Sequence, residues 1–123
     1  MADTKKVLIV EDDTLISSMY KIKLEQDGYA VVVANNGSEG LVKVKAEKPD
    51  IILLDIIMPQ LDGFTVLEGM RGKLGIKAPI IMLTNLGTEE DRAKGEKLGA
   101  TDYLVKSSVT PAQVSENVTK NLK

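Results

Sequence analysis

Side chains suited to phosphoryl chemistry follow four separate apolar runs of the chain. Asp55 comes directly after IILL, Glu11 and Asp12 come directly after VLIV, and Thr84 and Lys106 end two further runs. A carboxylate can act as a nucleophile, while an ammonium and a hydroxyl can stabilise anionic oxygens. These residue types together predict a site that transfers a phosphoryl group to a carboxylate.

Three acidic groups in one place require a compensating cation. Two unit charges about 4 Å apart interact by roughly 4 kcal/mol at an effective dielectric constant of 20, so clustered carboxylates repel or raise a pKa. The chain contains neither His nor Cys, and hard oxygen ligands without either suit Mg²⁺. We therefore expect Mg²⁺ to bind among these acids.

The elements that must position these side chains alternate between strands and helices. Short apolar runs predict buried strands over residues 6–10, 29–34, 51 to about 55, 79–83 and 102–105. Helices are predicted over residues 14–26, 37–48, 64–74, 88–99 and from 111 onward. This order predicts an α/β fold with a doubly wound, five-stranded parallel sheet. The carboxyl ends of its strands share one edge, so the polar residues are expected to converge there.

Capping residues and glycines add detail to the predicted helices. Asp13 or Thr14 is expected to cap the first, Thr110 the last, and the glycines at 69, 72 and 75 to weaken the third. Met58-Pro59 and Asp62-Gly63 are read as turns, and Phe64 as a core residue. Helical spacing predicts buried faces formed by Leu15, Ile16, Met19, Tyr20, Ile22 and Leu24 in the first helix, Leu41, Val42 and Val44 in the second, and Val114, Val118 and Leu122 in the last.

Composition limits the class of protein. The 123 residues are expected to form one domain over 1–123, with 43% apolar and 28% charged residues as in ordinary globular proteins. A formal charge of −2 argues against a nucleic-acid surface. The N-terminal residues lead into an apolar run that is too short for a signal peptide or membrane span, so we expect a cytoplasmic location and no membrane contact.

The chain resembles the receiver domain of two-component response regulators over nearly its whole length. The matching pieces are VLIVEDD (7–13), ILLDIIMPQLDG (52–63), PIIMLTN (79–85) and GATDYLVK (99–106). The resemblance implies a CheY-like, flavodoxin-like (βα)5 fold with strand order 2-1-3-4-5. It also implies that Asp55 is the phospho-acceptor and that Glu11, Asp12, Asp55 and the Ile57 carbonyl bind Mg²⁺, with Asp12 the closer ligand of the acidic pair.

The resemblance assigns roles to three further residues. Lys106 would hold the phosphoryl oxygens, Thr84 would move to bind the phosphoryl group, and Tyr103 would change position with it. A histidine kinase or histidine phosphotransfer protein would donate the group, and the domain would catalyse its own phosphorylation and slow hydrolysis. An output partner would bind the surface of the fourth helix, fifth strand and fifth helix, with the chain a monomer or weak dimer.

Three positions distinguish this chain from many members of the family. Ser107 follows Lys106 where many receivers have a proline, often in a cis peptide, and we predict a trans bond because a cis bond before a residue other than proline costs about 2.5 to 4 kcal/mol. Ile57 and Leu86 lie two residues beyond Asp55 and Thr84. In the family, the side chains at these two positions influence hydrolysis of the phosphoryl group. We predict a long-lived phosphoryl group, because two apolar side chains at these positions should hinder an attacking water.

Other functions share parts of this pattern. A haloacid dehalogenase phosphatase would have a second Asp where Ile57 stands, and an FMN carrier would not place three acids at residues 11–13 after the first strand. A receiver-like docking module without phosphorylation is the main alternative, although both Asp55 and Lys106 are present. The sequence leaves open whether this is a natural single-domain regulator or part of a longer protein.

Overall fold

Five strands and five α-helices alternate along the chain in the computed structural model, which describes residues 4–122. The strands are β1 (Lys6–Val10), β2 (Ala30–Ala34), β3 (Ile51–Leu54), β4 (Ile80–Thr84) and β5 (Asp102–Val105). The helices are α1 (Thr14–Gln26), α2 (Gly37–Glu47), α3 (Gly63–Glu68), α4 (Glu89–Lys97) and α5 (Pro111–Asn121). All strand pairs are parallel, in the order β2-β1-β3-β4-β5. The predicted doubly wound fold and strand order are confirmed.

Alternating side chains of the three central strands build two separate cores. Because successive strand residues point to opposite faces, each strand contributes to both cores. One core contains Leu8, Val10, Ile52, Leu54, Ile80 and Met82 under α2 and α3, and it includes Phe64 as predicted. The other contains Val7, Ile9, Ile51, Leu53, Ile81 and Leu83 under α1 and α5. Burial on both faces explains why these strands read as uninterrupted apolar runs.

Two predicted strand boundaries move by one residue. The Tyr29 N–H donates to the Leu24 carbonyl at 3.0 Å and closes the end of α1, so β2 begins at Ala30 rather than at Tyr29. Pro79 has no N–H for a ladder, and β4 runs from Ile80 through Thr84.

The third predicted helix changes its geometry midway. α3 ends at Glu68 and continues as a π-helical turn over Gly69–Lys73, in which the Leu74 N–H reaches back five residues to the Gly69 carbonyl at 2.9 Å. The expected Asp62-Gly63 turn is the start of this helix, because the Asp62 carboxylate caps it by accepting from the Thr65 N–H at 2.9 Å.

The predicted buried faces of the first two helices are partly wrong. Tyr20 and Leu24 are buried in α1, but Leu15 is 83% exposed, and Met19 and Ile22 are exposed as well. Val42 of α2 is also exposed. Apolar spacing marked two neighbouring stripes on α1, and only the stripe facing the sheet is covered. In α5, Val114 and Val118 are buried and Leu122 packs against the same core, as expected.

Arg71 joins the segments that lead into β4 and β5. Its guanidinium donates to the Gly99 carbonyl at 2.8 Å and to the Ile76 and Ala78 carbonyls at 2.7 Å each. It also donates to the Thr101 hydroxyl at 3.2 Å. One side chain thus satisfies three backbone carbonyls at the amino-terminal edge of the sheet.

Over residues 4–122, no helix is long and apolar enough to cross a bilayer. No peptide bond in the same range is cis, so the predicted trans bond between Lys106 and Ser107 is confirmed.

Candidate functional site

The carboxyl ends of the central strands form an open groove of about 240 Å³. β1 leads directly into Glu11 and β3 leads directly into Asp55, and both backbones stay in register: the Asp55 N–H donates to the Val10 carbonyl at 3.1 Å. The groove is lined by Glu11, Asp12, Asp13, Ile16, Asp55, Ile57, Asn85 and Lys106. The structure therefore brings together residues that the sequence placed on three different strands. A larger depression, of about 390 Å³, lies at the opposite edge of the sheet and is lined by no carboxylate.

Both carboxylate oxygens of Asp55 are held by hydrogen bonds. Oδ1 accepts from the N–H groups of Ile56 at 2.7 Å and Ile57 at 3.3 Å, while Oδ2 accepts from the Lys106 ammonium at 2.9 Å. The residue is only 5% exposed. Asp55 therefore has a fixed orientation towards the groove, as a nucleophile requires.

Lys106 links the two buried acids. Its ammonium donates both to Glu11 and to Asp55, and its side chain is 10% exposed. Asp12, next to Glu11, is exposed at the mouth of the groove. One ammonium faces three carboxylates, so the cluster keeps an excess of negative charge.

Burial and charge alter the protonation of this cluster. Burial raises the pKa of Glu11 to about 7, although the hydrogen bonds from Lys106 and from the Asp13 N–H act in the opposite direction. Burial alone would lower the pKa of Lys106, but its hydrogen bonds to Asp55 and Glu11 outweigh that effect and raise it. Lys106 is therefore a cation at neutral pH, and the groove retains capacity for a further cation.

The acidic cluster fits a divalent ion with hard oxygen ligands. One carboxylate oxygen from each of Glu11, Asp12 and Asp55 lies within 4.8 Å of the others. Three carboxylates without a nitrogen or sulfur donor suit Mg²⁺. Ile57 also lines the groove, and its carbonyl as a fourth ligand stays a prediction.

Thr84 and Tyr103 are not among the residues that line the groove. The Thr84 hydroxyl is fully buried and accepts from the Leu86 N–H at 3.4 Å, while the Tyr103 hydroxyl donates to the Leu86 carbonyl. The two predicted switch residues are thus joined through one peptide unit on each side of Leu86. The Arg92 guanidinium lies 5.2 Å from the centre of the Tyr103 ring.

Asn85 and Gly63 also shape the site. Asn85 lines the groove directly after Thr84, and the sequence reasoning missed it because a single amide has no informative spacing. A Cβ on Gly63 would lie 2.1 Å from the Asp55 carbonyl oxygen, so only glycine fits there. Asp13 is a helix cap as predicted, accepting from the Leu15 N–H at 3.0 Å, although it lines the groove too.

Known proteins match the chain over nearly its whole length. The family model described as "Response regulator receiver domain" matches residues 7–119. The alkaline phosphatase synthesis transcriptional regulatory protein PhoP of Bacillus subtilis is 40% identical over 114 residues, which are 93% of this chain and 47% of the relative. The DNA-binding dual master transcriptional regulator RpaA of Synechocystis is 40% identical over 102 residues, 82% of this chain and 42% of the relative. The chain therefore spans less than half the length of these relatives.

Solved structures agree in fold. A Francisella response regulator receiver domain superposes with a TM-score of 0.90 at 34% identity, covering 97% of both chains. The BeF3-activated N-terminal receiver domain of Klebsiella pneumoniae RstA superposes with a TM-score of 0.90 at 31% identity, covering 97% of this chain and 99% of that one.

Proposed function

The chain belongs to the response regulator receiver family of two-component systems, and we propose that it receives a phosphoryl group on Asp55 in a Mg²⁺-dependent reaction. The observation that carries this proposal is the carboxylate of Asp55, 2.9 Å from the Lys106 ammonium within a cluster of three acids. A docking module without phosphorylation would not need this arrangement of a buried acceptor and a buried cation.

The transfer reaction follows from the groups that hold Asp55. A carboxylate oxygen attacks phosphorus, a new O–P bond forms, and the P–N bond of a phosphohistidine donor breaks with its electron pair left on the imidazole nitrogen. The Lys106 ammonium is positioned to stabilise the transferring oxygens. Glu11, Asp12 and Asp55 would hold Mg²⁺, which supplies further neutralisation of the phosphoryl charge.

A histidine kinase or histidine phosphotransfer protein is the proposed donor, since the chain has no His of its own. The N-terminal end of α1 borders the groove through Asp13 and Ile16. The exposed apolar residues Leu15, Met19 and Ile22 extend from that end along α1. An uncovered apolar stripe beside the acceptor suits a protein donor. The reaction would take place in the cytoplasm.

The output is proposed to leave the domain through the α4–β5–α5 surface. Thr84 is next to the site and Tyr103 lies on β5, and both are hydrogen-bonded to peptide groups around Leu86. Movement of the Thr84 hydroxyl towards a phosphoryl group breaks its bond to the Leu86 N–H and shifts the equilibrium of this loop and of Tyr103. A partner protein, or an output domain in a longer chain, would detect that change.

The test is phosphorylation by a small donor. The protein is incubated with Mg²⁺ and acetyl phosphate, and its intact mass is measured beside Asp55→Asn and the control Asp62→Asn. Asn can still cap α3, so Asp62→Asn makes the same chemical change outside the groove. We expect one phosphoryl group on the wild type and on Asp62→Asn, and none on Asp55→Asn. No mass gain in the wild type would reject phospho-acceptor chemistry with small donors and favour the docking module.

A further inference from the structure

A side-chain hydrogen bond connects the two loops that carry Thr84 and Lys106. After β5 the chain forms one 3₁₀ turn over Lys106–Ser108, and the Ser107 N–H donates to the Asn85 Oδ1 at 3.2 Å. Asn85 directly follows β4 and lines the acceptor groove. The contact therefore ties the loop after β4 to the loop after β5 at the edge of the groove.

This contact depends on the two residues that this chain has at these positions. Ser107 has an N–H to donate, whereas a proline there would have none. The bond before Ser107 is trans. Asn85 provides a short amide whose oxygen reaches the neighbouring loop. Neither residue alone makes the connection, so the pair acts as a unit.

The turn that begins with Lys106 is anchored at its two ends, by the pairing of Val105 with Thr84 and by the packing of Val109 against the core under α1 and α5, but it is weakly held in between. Its own hydrogen bond, from the Val109 N–H to the Lys106 carbonyl, is long at 3.4 Å, and Ser107 and Ser108 are both exposed. The Lys106 side chain is long and flexible, so the placement of its ammonium between Glu11 and Asp55 depends on where its backbone begins. Asn85 holds the residue directly after Lys106.

We propose that Asn85 is a positioning residue for Lys106: by binding the Ser107 N–H, its side chain fixes the turn from which the ammonium reaches Asp55. The functional part of this inference rests on the proposed phosphorylation of Asp55. The hydrogen bond itself does not, and it is tested separately.

The functional experiment compares phosphorylation rates. Asn85→Ala removes the acceptor, and Ser108→Ala is the matched control, because Ser108 is an exposed residue of the same turn. With Mg²⁺ and acetyl phosphate, we expect Asn85→Ala to react about two- to tenfold more slowly than the wild type, the range expected for one lost hydrogen bond. Ser108→Ala should react at the wild-type rate. A wild-type rate in Asn85→Ala would overturn the positioning role.

The structural experiment uses NMR and needs no phosphorylation. In Asn85→Ala, the Ser107 amide should exchange with solvent faster and the ¹³Cε resonance of Lys106 should move, while neither changes in Ser108→Ala. Asn85→Asp keeps an oxygen acceptor and should retain the protection of Ser107. Unchanged Ser107 exchange or an unmoved Lys106 resonance in Asn85→Ala would refute the inference, even if the wild type takes no phosphoryl group. Absence of phosphorylation with these NMR changes present would instead reject only the proposed function.

Discussion

Gly63→Ala is expected to damage both stability and phosphorylation, because the backbone of Asp55 occupies the space that a side chain at residue 63 would need. The added Cβ would lie 2.1 Å from the Asp55 carbonyl oxygen and 2.6 Å from the Ile56 Cα, whereas real Cβ contacts are essentially never under 3.0 Å. The neighbours are backbone atoms, which cannot rotate away as a flexible side chain does. The start of α3 and the loop after β3 must therefore separate by roughly 1 Å.

The size of the effect follows from the cost of overpacking. Forcing an extra carbon into a closely packed place costs about 1–3 kcal/mol, so we expect the free energy of unfolding to fall by about 2 kcal/mol and Tm by roughly 6–10 °C. A displacement of about 1 Å at a reacting group lowers rates by up to about 100-fold. The phosphorylation rate of Asp55 should thus fall by more than the stability loss alone explains at a temperature where the variant is folded.

Urea unfolding and intact-mass kinetics with acetyl phosphate measure the two effects. Gly72→Ala is the matched control, since a Cβ there meets nothing within 4 Å and its φ is ordinary. It should be neutral or stabilise by up to about 1 kcal/mol. If Gly63→Ala unfolds and reacts like the wild type, the tight approach of the two backbones is not a constraint and this reasoning is wrong.

Three further predictions concern Arg71, Asn117 and Ile57. Arg71→Met leaves three backbone carbonyls without their donor and should lower the free energy of unfolding by about 3 kcal/mol, whereas a change within 0.5 kcal/mol by urea unfolding would contradict this role. Burial would raise the pKa of Asp102, but the hydrogen bonds from Asn117, the Tyr103 N–H and Asn121 outweigh it and lower the pKa. Asn117→Ala should therefore cost about 1 kcal/mol at pH 7, a difference present above the unfolded-state pKa of about 3.9 and lost as pH falls through the lower folded-state pKa. A constant difference from pH 7 to pH 3 would argue against it. Ile57→Asn should shorten the lifetime of phosphorylated Asp55, followed by mass decay, because a polar side chain at the groove can hold an attacking water. Equal decay in the variant and the wild type would contradict the prediction that the apolar side chain of Ile57 hinders an attacking water.

The strands, and the convergence of the polar residues that follow them, could be predicted because their signals are strong and independent. A strand buried on both faces has to be apolar at every position, as residues 7–10 and 51–54 are. The polar residue that ends each strand then falls at one edge by topology alone. Glu11, Asp55 and Lys106 were found in this way, and the structure brings them into contact.

The remaining features depend on tertiary contacts that spacing does not encode. Leu15, Met19 and Ile22 repeat at helical steps as core residues do, yet they are exposed, since periodicity does not show which stripe is covered. Gly63 was predicted to be a turn residue. Glycine is required there because the Asp55 carbonyl lies too close to leave room for a side chain. The prediction for Leu86 was that its side chain hinders an attacking water. In the structure this side chain packs against the core under α2 and α3, whereas Ile57 lines the groove.

The hydrogen bonds around Leu86 have a consequence for substitutions at that position. Thr84 and Tyr103 are joined to its N–H and its carbonyl, which every amino acid except proline provides. A substitution at position 86 that still packs against the core under α2 and α3 therefore leaves the connection between Thr84 and Tyr103 in place. The Leu86 side chain is constrained by its packing against that core and not by the two hydrogen bonds, so packing and internal connection place separate demands on one residue.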